Sequence, residues 1–429
     1  MQIHALLAPG GLVGVGWRRD DATPGQQDRV AAKKHASAIG AALLAAIAMS
    51  ISGCMTTDVL DSVPQNQVTD AVVGTFHDIR YWADEPPSAF VHRERETIEK
   101  VHEIYGNSLR GKEVPINYLC ISGGGSNGAY GAGFLAGWTA KGTRPKFDVV
   151  TGISTGSMIA PMAFLGSKYD AVLKQAYTTI TTDDVATAQV LPALLGQASG
   201  LADTAPLKRL IARYFTQAML DEIAVESRKG RLLLIGTSNL EAQRPMIWNI
   251  SAIAESGHPK SLELVHQIIL ASASIPGAFP PVNISVTADG KSYNEMHVDG
   301  GVTRQVFLYP PSYDPRKVDR AIGWKAKRTL YVIRNNKISP EYAVVKPKVW
   351  DIAGRSIDTL IKFDGIGDLF RIYAIAQRDR VGYHYTSIPS DFTRESKSAF
   401  DKAYMNALFD AGYAEAMRSN PWHRAPPDL

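Results

Sequence analysis

Five residues set the tightest limit on how this chain folds: Gly152-Ile153-Ser154-Thr155-Gly156. They follow Phe147-Asp148-Val149-Val150, which reads as a strand, and a helical stretch begins at Gly156. A G-x-S-x-G segment between a strand and a helix is a sharp turn that holds its serine in a strained conformation. Gly152 and Gly156 fit because the strand and the helix pass close together there. Ser154 then stands at a helix N-terminus, where developing negative charge is favoured. The bare pattern is common by chance, and its setting gives it weight. The plain alternative is a tight turn without catalysis.

A second glycine-rich turn lies upstream, Gly123-Gly124-Gly125-Ser126-Asn127-Gly128. It follows the apolar run Ile116–Ser122 and precedes a small-residue helix over Ala129–Thr139. Glycines let backbone N–H groups converge on a point, and such a loop cradles phosphate or an oxyanion. It is no P-loop, because no Gly-Lys-Ser/Thr follows. Gly123, Gly125 and Gly128 also match the dinucleotide fingerprint, with Asp148 about 20 residues on. Asp148 precedes the next apolar strand, whereas a ribose-binding acid ends it. Ser126 and Asn127 read equally well as ordinary turn residues.

Further apolar strands stand at Arg231–Thr237 and Thr329–Ile333. Apolar strands alternating with helices predict an α/β fold, a mostly parallel sheet flanked by helices, with a helical C-terminal extension. Helices are predicted over Arg93–Tyr105, Ile352–Gln377 and Ala399–Met417. The expected organisation is a signal segment over 1–53, a leader packing on the core over 54–112, a catalytic domain over 113–310, and a last strand with helices over 311–429. Hydrophobic residues make up 45% and charged residues 21%, which excludes global disorder and a polytopic membrane protein. The 46 Lys+Arg against 42 Asp+Glu give no warrant for nucleic-acid binding.

A serine needs a base to become a nucleophile. None of the ten histidines stands in an obvious catalytic loop. His297 lies two residues before Asp299 and is expected to point to the other side of that extended segment. His384 is the other histidine kept as a candidate base. Val298-Asp299-Gly300-Gly301 is a common turn in itself. A carboxylate can take the serine proton directly where burial raises its pKa toward neutrality.

Together, GGGSNGAYGAG, GISTGS, ASASIPGAFPP and VDGG resemble, in order, the motifs of patatin-like phospholipases. The match covers about residues 115–310. The resemblance implies a three-layer α/β/α fold, Ser154 as nucleophile and Asp299 as general base. It implies an oxyanion hole at Gly123, Gly124, Gly125 and Ser126. The substrate implied is a phospholipid or another acyl-ester lipid, with no metal or cofactor. Many members carry Arg or Lys where Asn127 stands, so activity is expected to be lower or the substrate different. The competing expectation is a weak or inactive member with a lipid-binding or envelope-assembly role.

The N-terminus reads as an address. Ala36–Ser52 is apolar or small throughout and follows Lys33-Lys34, as in an export signal. Ile51-Ser52-Gly53-Cys54 resembles the bacterial lipobox, which implies cleavage before Cys54 and lipid on its thiol. The expected location is the bacterial cell envelope, lipid-anchored, on the outer membrane facing the periplasm. The stretch before Lys33 is long for such a signal, and a start near Val30 is expected. Cys120, the only other cysteine, sits in a predicted buried strand and reads as a small hydrophobe.

Overall fold

The structure, a computed structural model, describes residues 61–86, 88, 91–189 and 198–427. The signal segment and Cys54 lie outside the described residues. The strands are β1 (Arg80–Trp82), β2 (Glu113–Ile121), β3 (Val149–Gly152), β4 (Thr187–Ala188), β5 (Ala202–Asp203), β6 (Leu232–Asn239), β7 (Arg244–Asn249), β8 (Val282–Ala288), β9 (Lys291–Asp299), β10 (Lys325–Lys337) and β11 (Gly382–Ile388). Nine of them form one sheet, with β1-β7-β6-β3-β2-β10-β11 as its main path. From β6 to β11 the neighbours run parallel. β7, β1 and the β8–β9 hairpin are antiparallel additions. β4 and β5 pair separately.

The helices used below are α1 (Val91–Tyr105), α2 (Gly128–Ala140), α3 (Thr155–Leu165), α4 (Asp170–Thr178), α5 (Ala205–Tyr214), α6 (Gln217–Arg228), α7 (Ser261–Ser272), α8 (Val349–Asp379) and α9 (Lys402–Met417). β2 shows why the sheet is covered on both faces. Leu119 and Ile121 point into one apolar layer, with Phe134 and Ile159 from α2 and α3. Tyr118 and Cys120 point into the other, with Leu369, Ile372 and Ala376 from α8. Apolar residues at successive positions require two buried faces. The three-layer α/β/α expectation stands. Burial pushes the Cys120 thiol up to about 12, in keeping with a packing role.

The C-terminal segment is integral to the sheet. β10 lies between β2 and β11, and α9 lies on α2. A Cβ on Gly412 would run into the Tyr130 carbonyl oxygen, so this crossing needs bare backbone. Trp422 closes the same layer against the rings of Phe134 and Trp138 at 4.9 and 4.8 Å. Among the described residues no helix is long and apolar enough to cross a membrane.

One feature of the sheet positions everything that follows. β3 pairs with β6 only over Leu232–Ile235, because the chain turns away at Ser154. Beyond that point β9 takes the freed edge of β6 from the opposite direction, with Asp299 opposite Thr237. Asp299 therefore arrives head-on at the end of β3. The glycine loop leaves β2 at the same edge, where open α/β sheets hold their ligands.

Candidate active site

Ser154 has φ +54° and ψ −126°, a conformation that costs a non-glycine residue about 1–3 kcal/mol. Hydrogen bonds hold it. Its N–H donates to Ser272 Oγ at 3.0 Å, and Ser272 donates to the Gly236 carbonyl at 2.7 Å. Ser157 Oγ donates to the Ser154 carbonyl at 2.6 Å. A Cβ on Gly156 would strike the Ile121 carbonyl, and one on Gly152 the Gly156 carbonyl. Both glycines are therefore steric requirements of the turn.

Asp299 closes β9 and is 5% exposed. Its Oδ1 accepts the Gly301 N–H at 2.7 Å, and its carboxylate accepts the Ser154 hydroxyl. Burial pushes its pKa up to about 7, and the bonds from Ser154 and Gly301 hold it from rising further. The group is thus half-ionised near neutrality and able to take a proton. A Cβ on Gly301 would lie 3.0 Å from Asp299 Oδ1 and 2.7 Å from Gln305 Nε2, which accounts for the second glycine of VDGG.

The glycine loop passes beside Ser154. A Cβ on Gly123 would lie 3.2 Å from that of Ser154. The Gly123 N–H donates to the Gln305 carbonyl at 3.0 Å, and this removes it from the expected donor set. Among the described residues no protein acceptor takes the N–H groups of Gly124, Gly125 or Ser126. Gly124 has φ +151° and Gly125 +55°, both open to glycine and strained for other residues. Asn127 sits between two partners. Its Nδ2 donates to Asn336 Oδ1 at 3.2 Å, and Tyr404 OH donates to its Oδ1 at 2.7 Å.

These groups open into a cavity of about 1020 Å³. Its walls are mostly apolar: Met158 and Met162 of α3, Leu207 and Leu210 of α5, Met219 of α6, Ile269 of α7. Ser154, Asp299 and the loop from Gly123 to Asn127 form its polar end. No histidine is among the described residues that line it.

The expectation about His297 needs correcting. Residues two apart on a strand share a face, so its direction does not set it aside. Its bonding does. Nδ1 is 2.9 Å from Thr237 Oγ1 and Nε2 is 3.0 Å from Glu295 Oε2, which Arg80 also holds. Burial lowers the pKa of His297, against the pull of Glu295. His384 lies on β11 against Arg424 and Tyr331, outside the cavity lining. Asp148 accepts the Asn117 N–H at 2.7 Å at the start of β3, the opposite end from the glycine loop, which leaves the dinucleotide reading without its acid.

Sequence reasoning missed the scaffold behind the loop. Asn335 Nδ2 donates to the Ser122 carbonyl at 2.9 Å, and its Oδ1 accepts the Gly131 N–H at 3.0 Å. Gln305 Nε2 donates to the Gly301 carbonyl, and its N–H donates to Asp368 Oδ2, both at 2.7 Å. Two asparagines closing the apolar run of β10 were the available signal: a buried amide there needs polar partners.

No curated protein matches the chain. Among solved structures, VipD from Legionella pneumophila aligns at 13% identity and TM-score 0.35, over 70% of this chain and 66% of that one. ExoU of the Pseudomonas aeruginosa type III secretion system, solved with SpcU, aligns at 13% and 0.27, over 73% and 55%. Human GIVD cytosolic phospholipase A2 aligns at 10% and 0.29, over 67% and 52%. The chain thus spans less than two thirds of each of these proteins, and at such scores the likenesses carry no argument. The family comparison is specific: the patatin-like phospholipase model matches residues 119–310. That stretch holds the glycine loop, the serine turn and Asp299, and with it this chain carries a patatin-like phospholipase domain.

Proposed function

We propose that this protein is a serine acyl hydrolase that cleaves carboxylic esters of membrane lipids through Ser154 and Asp299. The observation that carries the reading is the buried Asp299 carboxylate on the Ser154 hydroxyl, with a pKa near 7, at the polar end of a large apolar cavity. Ser154 Oγ attacks the ester carbonyl carbon and its proton passes to Asp299. The oxyanion takes N–H groups of Gly124, Gly125 and Ser126, and losing one such donor typically costs about 2.7–4 kcal/mol. The tetrahedral intermediate expels the alcohol, which leaves with the proton from Asp299. Water then gives a proton to Asp299 and attacks the acyl-enzyme, and the fatty acid departs as Ser154 is restored.

The cavity stands at the upper end of the roughly 300–1,000 Å³ of ordinary ligand pockets and is mostly apolar, which gives room for a long acyl chain. Asn127 fills its place without a charge, and Tyr404 and Asn336 support the loop there. We also propose from the lipobox sequence that lipid on Cys54 anchors the protein to a bacterial envelope membrane.

The test follows fatty-acid release from phospholipid vesicles and hydrolysis of a short-chain ester, with Ser154→Ala and Asp299→Asn as comparators. Loss of roughly 10³-fold or more in both variants, with the fold kept, is the expected result. A parent protein inactive on every ester would sink the reading and favour a lipid-binding role.

A further inference from the structure

We propose that the N-terminal half of α8 is a membrane-docking surface that seats the mouth of the cavity on a phospholipid bilayer. The proposal rests on the acyl-hydrolase reading for its orientation, while the surface itself stands on the following geometry.

Val349, Ile352, Leu360 and Phe363 recur at helical spacing and fall on one stripe of α8. Val349 is 78% exposed, Leu360 70% and Phe363 65%. A stripe from 349 to 363 runs roughly 21 Å at 1.5 Å per residue. Isolated exposed apolar side chains need no explanation, but a continuous row of this length does. The preceding loop adds Tyr342 and Val344, both more than four-fifths exposed. No other described element covers this row.

The same helix presents an adjoining stripe to the active site. Ile357, Ile361 and Asp364 line the cavity, and Leu360 borders both. The exposed row is therefore continuous with the cavity wall. It also lies on the correct side. Arg334, near the C-terminal end of β10, donates to the Lys362 carbonyl at 2.9 Å. Residues before Lys362 thus overhang the sheet edge where Ser154 and Asp299 sit. The β8–β9 hairpin projects beyond that edge as well, since β9 passes the end of β6. Asp61 is bonded to it, through its carbonyl and the Asn294 N–H at 2.9 Å.

Charge identifies the kind of contact. Lys346 and Lys348 are exposed just before α8, Asp351 is exposed in its first turn, and Asp358 is exposed at the rim of the cavity. The balance is near neutral, so attraction to the surface is insertion of the exposed apolar row. Docking should persist on phosphatidylcholine alone and vary little with salt.

The experiment uses the full-length protein in the Ser154→Ala background. An environment-sensitive fluorophore is placed on Phe363→Cys and, as a control at the opposite sheet edge, on Lys229→Cys. Phosphatidylcholine vesicles are expected to blue-shift the emission at 363 and leave 229 unchanged. In the active protein, Ile352→Glu with Phe363→Glu, neither of which lines the cavity, is expected to slow vesicle hydrolysis at least tenfold. Hydrolysis of a soluble short-chain ester should stay within twofold. If position 363 docks while the parent hydrolyses no ester, the surface stands and the hydrolase reading falls. A silent label at 363 in a protein that does hydrolyse esters overturns the docking surface alone. So does a shift that needs no vesicles and grows with protein concentration, because a second copy would then cover the row.

Discussion

In the proposed dyad, Asp299 ties stability and activity to the same proton. Its folded pKa, about 7, lies above the roughly 3.9 of an unfolded aspartate. The folded state therefore holds its proton more tightly. Stability falls as pH rises from about 4 to about 7 and is level above. Activity runs the other way, since the base must be ionised: kcat/KM should climb through a midpoint near pH 7. Asp299→Asn removes the buried charge. It should abolish activity yet raise the melting temperature at pH 8, by a gain on the order of 3 kcal/mol that shrinks toward pH 5. Calorimetry and a pH–rate profile read the two halves separately. A dyad also predicts that no histidine is essential. His384→Gln should keep kcat within a few fold. His297→Ala should destabilise by about 1–3 kcal/mol, because Thr237 and Glu295 lose a buried partner, and the pH midpoint should not move.

At the scale of elements, the site is a meeting of loop ends, and legibility followed sequence distance. The serine turn and the glycine loop were readable because each is a strand, a turn and a helix within a few residues. Gly156→Ala tests the turn directly: the added methyl meets the Ile121 carbonyl and should cost about 3 kcal/mol, read by denaturant unfolding. The head-on arrival of β9 was not readable, because it depends on a register between Thr237 and Asp299 that no local pattern encodes. The antiparallel strands β7, β8 and β9 escaped notice for the same reason. The grip of α9 on the loop was also hidden, since it joins Tyr404 to Asn127 across most of the chain. Tyr404→Phe removes that bond, worth about 1 kcal/mol, and should lower kcat several-fold with KM held. Steady-state kinetics on a soluble ester separate the two constants.

For the whole molecule, the matched stretch 119–310 is not a self-sufficient body. It lacks β10 and β11, and without β10 the backbone edge of β2 is exposed. A chain ending at 310 should be insoluble. One ending at 399 should keep the sheet but bare Phe134 and Trp138, and lose cooperative unfolding by circular dichroism. The charge-poor exposed row on α8 belongs to this scale too, since it gives the molecule one side that differs from the rest.

The late position of β10 and α9 also sets a clock. A ribosome that has finished Asp299 must still add roughly a hundred residues before Tyr404 exists, about 5–20 s at ~5–20 residues per second. Throughout that interval the nascent chain carries Ser154 and Asp299 without α9, and for its first part without β10. Under the proposed hydrolase reading, the glycine loop gains its brace from Tyr404 only when nearly the whole chain has been made.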